Sequence, residues 1–128
     1  MILDSSAVVA IVMAEPGAEV LLGKIRAARV RGIGTPTLLE CLIVLAARLR
    51  GEPSALLLEL LRAIDVEVIP FTEEHSLIAF SAFLRFGKGR HRAALNFGDC
   101  AAYAVASAAG EPLLFLGADF GKTDIATA

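Results

Sequence analysis

The chain opens with the stretch MILDSSAVVAIVMA, residues 1–14, in which Asp4 is the only charged side chain. The apolar pair at 2–3 predicts a short buried strand, and the serines at 5–6 are typical of the start of a helix. A buried strand that ends on an acid and leads straight into an apolar helix favours an α/β fold. In such folds the sheet is mainly parallel and covered on both faces.

Two further apolar stretches carry a single acid in the same way. Glu40 is the only charged residue of GIGTPTLLECLIVLAA (32–47), and Asp99 is the only one of AALNFGDCAAYAVASAAG (93–110). An ionised carboxylate that is buried without a partner costs several kcal/mol of stability. Three acids in three apolar settings therefore indicate a shared compensating charge, for which a divalent cation is the simplest candidate.

The rest of the chain alternates predicted strands with predicted helices, which indicates one α/β domain over residues 1–128. Strands are predicted at 2–3, 32–34, 66–70 and 113–116, with an edge strand at Ile125. Helices are predicted over 5–13, 18–29, 35–49, 54–63, 72–85 and 101–109. We expect three layers, α/β/α, around a mostly parallel sheet of four to five strands. Side chains that follow parallel strands meet at one edge of the sheet, where Asp4, Glu40, Asp99 and Asp119 are expected to face each other.

Each acid also has a plainer explanation. Asp4 and Asp99 are suited to capping the helices that follow them. Asp119 is typical of a turn. Glu40 lies inside an apolar helix, where no cap is possible, so its alternative is a buried salt bridge to an arginine such as Arg48 or Arg92.

Composition limits the function classes. The chain has a mean hydropathy of +0.68, yet no apolar run reaches the roughly 18 residues of a membrane span. No basic leader precedes the first strand, so we expect a cytoplasmic protein with an exposed apolar surface for a partner. Cys41 and Cys100 are too few for a disulfide framework or a zinc site and are expected in the core as thiols. Phe97 and Tyr103 are also expected to pack in the core, with base stacking as the alternative.

Positive charge is concentrated in one segment of a chain whose net charge is −2. The segment contributes Arg85, Lys88, Arg90 and Arg92, and no acid lies between Glu74 and Asp99. We interpret it as a loop that contacts the phosphates of a nucleic acid; the alternative is an ordinary solvated surface. Convergent carboxylates without a histidine–cysteine cluster favour Mg²⁺ or Mn²⁺ over zinc.

Four segments together resemble the PIN-domain ribonucleases, in particular the VapC-like toxins of bacterial toxin–antitoxin pairs. They are ILDSSAVVAI (2–11), TPTLLE (35–40), FGKGRHRAALNFGDCAAYAVA (86–106) and PLLFLGADFGKTDI (112–125). The third segment, with Asp99 and its basic lead-in, is the most specific. The resemblance covers essentially the whole chain and implies a PIN-like fold.

The resemblance also implies the site. Its acidic quartet corresponds to Asp4, Glu40, Asp99 and Asp119. Of these, Asp4 and Asp99 correspond to the most direct ligands of Mg²⁺, for which Mn²⁺ is expected to substitute, and Ser6 corresponds to the small polar residue after the first acid. Many relatives carry a threonine and an extra acid where this chain has Leu-Gly-Ala at 116–118. Asp124 therefore stays open as an alternative fourth acid.

The implied function is that of a Mg²⁺-dependent endoribonuclease toxin, which hydrolyses RNA with a metal-activated water. Arg85, Lys88, Arg90 and Arg92 are the expected substrate contacts. The expected partners are RNA, a second copy of the chain and an antitoxin, whose amphipathic helix would lie near residues 18–29 and 35–63.

Two other classes remain open from the residues alone. In a phosphotransfer or receiver-like domain, Asp4 or Asp99 would accept phosphate, although serines follow Asp4 where paired aspartates are expected. In a catalytically silent interaction module, the acids would be structural.

Overall fold

Four short strands form one parallel sheet in the computed structural model, which describes residues 1–128. The strands are β1 (Ile2–Leu3), β2 (Gly32–Gly34), β3 (Glu67–Ile69) and β4 (Leu113–Leu114). The helices are α1 (Ser5–Val12), α2 (Ala18–Ala27), α3 (Thr35–Leu49), α4 (Ser54–Ala63), α5 (Glu73–Phe86) and α6 (Phe97–Ala109), and a 3₁₀ turn spans Phe120–Lys122. The predicted α/β class and parallel sheet are confirmed.

The strand order β3-β2-β1-β4 makes β1 the point at which the chain changes direction across the sheet. The chain moves outward from β1 through β2 to β3 and then returns to place β4 on the other side of β1. The Asp4 N–H donates to the Leu114 carbonyl oxygen at 2.9 Å, which joins the carboxyl ends of β1 and β4. Ligands of open parallel sheets bind at such a switch point.

Side chains of β1 point alternately to two separate cores. Leu3 packs with Ile33 and Leu45 among the side chains of α1 to α4, while Ile2 packs with Leu95 and Val105 among those of α5 and α6. Successive residues of a strand face opposite sides of the sheet, so even this two-residue strand has a side chain in each core. The result is the predicted three-layer α/β/α arrangement.

The largest difference from the sequence prediction lies at the start of α6. This helix begins at Phe97, not near residue 101. Asn96 caps it, because the Asn96 side-chain oxygen accepts from the Asp99 N–H and the Asp99 Oδ2 accepts from the Asn96 N–H, each at 2.9 Å. This capping box places Gly98 and Asp99 in the first turn of the helix.

Smaller differences concern the ends of the chain and the aromatic residues. The predicted edge strand at Ile125 is absent; only a single bridge joins Thr127 to Leu113. Phe97 is 88% exposed, so its expected packing in the core is wrong. Tyr103 is buried as expected, and so are the two cysteines. None of the helices combines the length and apolar character that a bilayer crossing requires.

Candidate active site

Asp4 lies at the carboxyl end of β1 and is only 4% exposed. It caps α1, since its Oδ2 accepts from the Ser6 N–H at 3.0 Å and from the Ser6 hydroxyl at 2.6 Å. The same hydroxyl accepts from the Leu116 N–H at 2.9 Å. Ser6 therefore ties the carboxylate to the segment that follows β4. The capping role considered for Asp4 is real, and it leaves the carboxylate at the switch point of the sheet.

Glu40 reaches the same place from α3, where its half-buried side chain packs against the first turn of α6. A Cβ atom added at Gly98 would lie 2.6 Å from Glu40 Oε2, so a larger residue at this position would displace the carboxylate. The salt bridge considered as its alternative does not form: Arg48 instead pairs with Glu15 at 2.6 Å, and Arg92 has no ion pair.

Asp99 is half-buried in the first turn of α6, and its pKa is raised to about 6. Burial is the largest cause, and the charges of Asp4, Glu40 and Asp119 add to it, while the hydrogen bond from Asn96 opposes it. A carboxylate raises the pKa of another only at close range. Asp4, Glu40 and Asp119 therefore lie near enough to Asp99 for their charges to act on it, at one end of the sheet.

The pKa values of Asp4 and Glu40 are also raised, mainly by burial. Burial raises the pKa of Asp4, and the hydrogen bonds from Ser6 and Ser5 partly oppose this. Burial also raises the pKa of Glu40, helped by the charge of Asp4 and opposed by a hydrogen bond from Ser5. No lysine or arginine contributes to either shift or to that of Asp99. The five ion pairs of the chain all use other acids.

The two alternatives for the fourth acid differ in their surroundings. Asp119 is exposed beside the cluster and lies 3.5 Å from the Lys122 ammonium. Asp124 accepts from the Arg85 guanidinium at 2.5 Å and from the Tyr103 hydroxyl at 2.7 Å, and these bonds lower its pKa. Asp119 is among the charges that raise the pKa of Asp99, and Asp124 is not. These surroundings favour Asp119 over Asp124 as the fourth acid.

Of the four basic residues in segment 85–92, one forms an ion pair and three do not. Arg85 is held by Asp124 and so is not available as a separate cation. Lys88, Arg90 and Arg92 are exposed without an ion pair. The Arg90 guanidinium lies over the Phe83 ring, 5.4 Å from its centre.

Two residues at the site were not predicted from the sequence. Lys122 contacts the Arg92 carbonyl oxygen at 3.4 Å as well as Asp119, and so links the basic segment to the acids. The signal was a lysine three residues after the acid in DFGK. Gly98 makes room for Glu40, and its signal was a glycine immediately before the acid of a predicted helix start.

The four acids do not form a closed metal cage, since no three His, Cys, Asp or Glu side chains are arranged as one. The donors are carboxylate oxygens, which Mg²⁺ and Mn²⁺ prefer. Mg²⁺ usually keeps several waters and uses only one or two carboxylates of a protein. An open pair of acids with uncompensated charge fits such an ion.

Comparison with known proteins gives a consistent result. The PIN domain family model matches residues 1–126. Ribonuclease VapC36 of Mycobacterium tuberculosis is 49% identical over 127 residues, which cover 98% of this chain and 91% of that protein. Ribonuclease VapC of Mycolicibacterium smegmatis is 44% identical, with 98% of each chain covered.

Solved structures show the same fold at low sequence identity. The crystal structure of Mycobacterium tuberculosis VapC20, described as a sarcin-ricin loop cleaving toxin, superimposes with a TM-score of 0.78 at 15% identity, covering 99% of this chain and 97% of that one. A toxin–antitoxin complex from Klebsiella pneumoniae gives 0.72 at 13% identity, with 99% and 95% covered.

By the matched family model and by these identities, the chain belongs to the PIN-domain family. Within that family its sequence relatives are VapC ribonucleases, as the resemblance of its motifs implied.

In metal-free buffer, Asp99→Asn is expected to raise the midpoint of thermal unfolding at pH 7.5 and to change it little near pH 4. The folded-state pKa of Asp99, about 6, lies above its ordinary value of 3.8. The native state therefore binds the proton of Asp99 more tightly than the unfolded state does. The loss of folding stability that comes from ionising Asp99 is absent below about pH 4 and complete above about pH 6. Discounted for partial exposure, the gain is about 1–2 kcal/mol.

Asn96 can still be paired by the amide oxygen of the new side chain, so the cap is kept. Glu59→Gln, on the exposed side of α4, is the control and should show no such difference between the two pH values. An equal effect of Asp99→Asn at both pH values would contradict the prediction.

Proposed function

We propose that the protein is a Mg²⁺-dependent endoribonuclease, active also with Mn²⁺, and the toxin of a toxin–antitoxin pair. The observation that supports this most directly is the group formed by Asp4, Glu40 and Asp99. Burial raises the pKa of all three, the charge of Asp4 adds to the shift of Glu40, the charges of Asp4 and Glu40 add to that of Asp99, and none of the three has a lysine or arginine partner. A group of uncompensated acids at the switch point of a parallel sheet is what a hard cation needs.

Asp4 and Asp99 are the proposed ligands. A bound Mg²⁺ would supply activation of a water molecule and stabilisation of the charge that develops on a phosphodiester. Glu40 is the third acid of the group. Its raised pKa suits a residue that orients the attacking water and accepts its proton. Asp119 completes the rim on the exposed side.

Other residues of the chain keep these acids in place. Ser6 fixes the carboxylate of Asp4 and connects it to the Leu116 N–H. Asn96 fixes Asp99 through the capping box. Gly98 lets Glu40 approach the first turn of α6. Each acid is therefore positioned by a neighbour that itself has no charge to offset it.

The RNA backbone is proposed to run from the free basic residues to the acids. Arg90 and Arg92 are exposed and unpaired, and Lys122 bridges from this segment to Asp119. Lys88 belongs to the same segment. Arg85, which the sequence grouped with them, serves instead to hold Asp124. Phosphate contacts of this kind position a nucleic acid without reading its sequence.

Two protein partners complete the proposal. Exposed apolar side chains on α2, α3 and α4 suit an amphipathic helix of an antitoxin; they are Val20, Ile43, Leu49 and Leu56. A second copy of the chain is the other proposed partner. With RNA as substrate, we expect the protein to act in the cytoplasm.

The receiver-like alternative has less support. A phosphate-accepting aspartate must be reached by a phosphoryl donor, whereas Asp4 is buried and bonded to Ser6. Incubation with acetyl phosphate followed by intact-mass measurement tests this directly, and we expect no added phosphate.

Asp99→Asn is expected to lower Mg²⁺-dependent RNA cleavage by about 100-fold or more, since it removes a charge that acts on the reacting centre. The measurement is cleavage of a labelled RNA by purified protein, with a circular dichroism spectrum to show that the fold is kept. Glu59→Gln, with the same change of charge on α4, is the matched control and should cleave at the wild-type rate.

Wild-type cleavage by Asp99→Asn would remove Asp99 from the mechanism. A wild type that neither cleaves RNA nor gains thermal stability from millimolar Mg²⁺ or Mn²⁺ would favour the silent interaction module.

Gly98→Ala is expected to lower cleavage about 10- to 100-fold while the protein stays folded, because the new methyl group displaces the carboxylate of Glu40. Gly23→Ala is the matched control: it is also helical, and a Cβ there meets nothing within 4 Å. Both changes favour the helix by about 1 kcal/mol. The control should therefore gain stability and keep full activity; equal activity of the two variants would contradict the role of Gly98.

Arg90→Ala with Arg92→Ala is expected to weaken RNA binding and to reduce the slope of log K against log salt by about 1.4, or about 0.7 for each single-strand phosphate contact. Binding is measured in the Asp99→Asn background so that the RNA stays intact. Arg26→Ala with Arg29→Ala removes the same charge from the exposed end of α2 and the loop after it and should leave the slope unchanged. Equal slopes for the two double variants would place the basic segment outside the substrate path.

A further inference from the structure

A cavity of about 270 Å³ lies between α1, α3 and the segment that follows β4. Ser5, Ser6, Glu15 and Arg48 line it together with three apolar side chains. Pockets that enclose a whole small ligand hold about 300–1,000 Å³, so this cavity suits one part of a longer molecule. Its charged and hydroxyl groups indicate that this part is polar.

The cavity adjoins the group formed by Asp4, Glu40 and Asp99 through its two serines. The Ser6 hydroxyl donates to Asp4 Oδ2 at 2.6 Å, and a hydrogen bond from Ser5 opposes the raised pKa of Glu40. A molecule bound in the cavity therefore lies one serine side chain away from two of the acids. The cavity and the acids are neighbouring parts of one surface.

Arg48 keeps most of its hydrogen-bonding capacity for a ligand. Its one ion pair joins Nη1 to Glu15 Oε1 at 2.6 Å, and its side chain is 49% exposed. A guanidinium carries several N–H donors in a rigid fork, which matches two oxygens of one phosphate. The donors that Glu15 does not use can bind such a group.

Arg48 lies on the opposite side of the sheet from the basic segment 85–92. Helix α3, which carries Arg48, packs in the core around Leu3. The basic segment leads into Leu95, which packs in the core around Ile2 on the other face. The acids lie between these layers, at the carboxyl ends of the strands. An RNA backbone that crosses the acids therefore meets the basic segment on one side and Arg48 on the other.

We propose that this cavity binds the RNA phosphate next to the one that is cleaved, with Arg48 as the ligand of that phosphate. Glu15 then holds Arg48 only while no RNA is bound. The inference rests on the proposed ribonuclease function and adds a binding residue to it. The exchange of partners is feasible because partly exposed ion pairs contribute little to stability, and Glu15 is 38% exposed.

The alternative is an ion pair that only joins α3 to the end of α1. In that case the removal of either partner breaks the same contact, so both variants lose a little stability and neither changes RNA binding. If Arg48 binds phosphate, the two variants change RNA binding in opposite directions. Arg48→Gln removes the ligand, whereas Glu15→Gln removes its competitor.

Binding of a labelled single-stranded RNA to the full chain tests the proposal, in the Asp99→Asn background so that the RNA stays intact. Arg48→Gln is expected to raise the dissociation constant about fivefold to tenfold and to reduce the slope of log K against log salt by about 0.7, for one phosphate contact. Arg62→Gln removes the same charge from the exposed side of α4 and should leave the slope unchanged.

Glu15→Gln is expected to lower the dissociation constant about twofold to fivefold. Glu59→Gln, with the same change of charge on α4, is the matched control and should have no effect. The double variant Glu15→Gln with Arg48→Gln should bind like Arg48→Gln alone, because Glu15 acts through Arg48. If Glu15→Gln tightened binding equally without Arg48, its effect would be simple charge repulsion and its role as a competitor would be wrong.

Cleavage kinetics with Mg²⁺ give a second readout. Arg48→Gln is expected to raise KM about tenfold and to change kcat less than about twofold, because the contact lies away from the reacting phosphate. A circular dichroism spectrum shows whether the variant is folded. If it is not, Arg48→Lys keeps the charge but not the fork of donors, and is expected to show a smaller change of KM in the same direction.

The outcomes separate this inference from the proposed function. A wild type that cleaves RNA, with an Arg48→Gln variant that binds RNA as tightly, would overturn the inference alone. RNA binding that depends on Arg48, without any Mg²⁺-dependent cleavage by the wild type, would overturn the proposed function alone. An Asp99→Asn protein that binds no RNA would overturn both.

Discussion

The central constraint on this structure is a group of carboxylates that lie near one another without a lysine or arginine partner. Asp4, Glu40 and Asp99 come from three separate apolar segments, and burial together with their mutual charges raises the pKa of Asp99 to about 6. A fold that only needed to be stable would scatter these acids or pair them with arginines, which the chain does elsewhere for Glu15 and Asp124. The cost is concentrated at the switch point of the sheet, where perturbed carboxylates are typical of a functional site.

Helix N-termini make this arrangement tolerable. Asp4 caps α1 and Asp99 lies in the first turn of α6, so each carboxylate accepts a backbone N–H and faces the positive end of a helix dipole. Glu40 sits inside α3 without such help, and only side-chain contacts such as that from Ser5 favour its charge. The two acids proposed as metal ligands are therefore the two whose ionised forms the backbone already supports. Glu40 lacks this backbone support, and burial raises its pKa.

The sequence was sufficient for the fold, and it singled out acids that act on one another in the structure, because both leave local signals. Short apolar strands alternate with apolar helices, and a single acid in an apolar run is conspicuous. It was insufficient where an outcome depends on contacts between distant segments. Nothing near Asp124 shows that Arg85 and Tyr103 hold it, and nothing near Arg48 shows that it pairs with Glu15 and not with Glu40. The start of α6 was misplaced because glycine and asparagine were taken as loop residues, whereas Asn96 is the cap of that helix.

Three consecutive residues in the first turn of α6 have three different surroundings. Phe97 is exposed to solvent, Gly98 leaves room for the Glu40 carboxylate, and Asp99 lies within reach of the charges of the other acids. A rigid first turn, closed by the capping box, fixes the three relative to one another. The capping box thus fixes Asp99 and the glycine that makes room for Glu40 on the same helical turn, so the spacing between these two acids depends on how this helix begins.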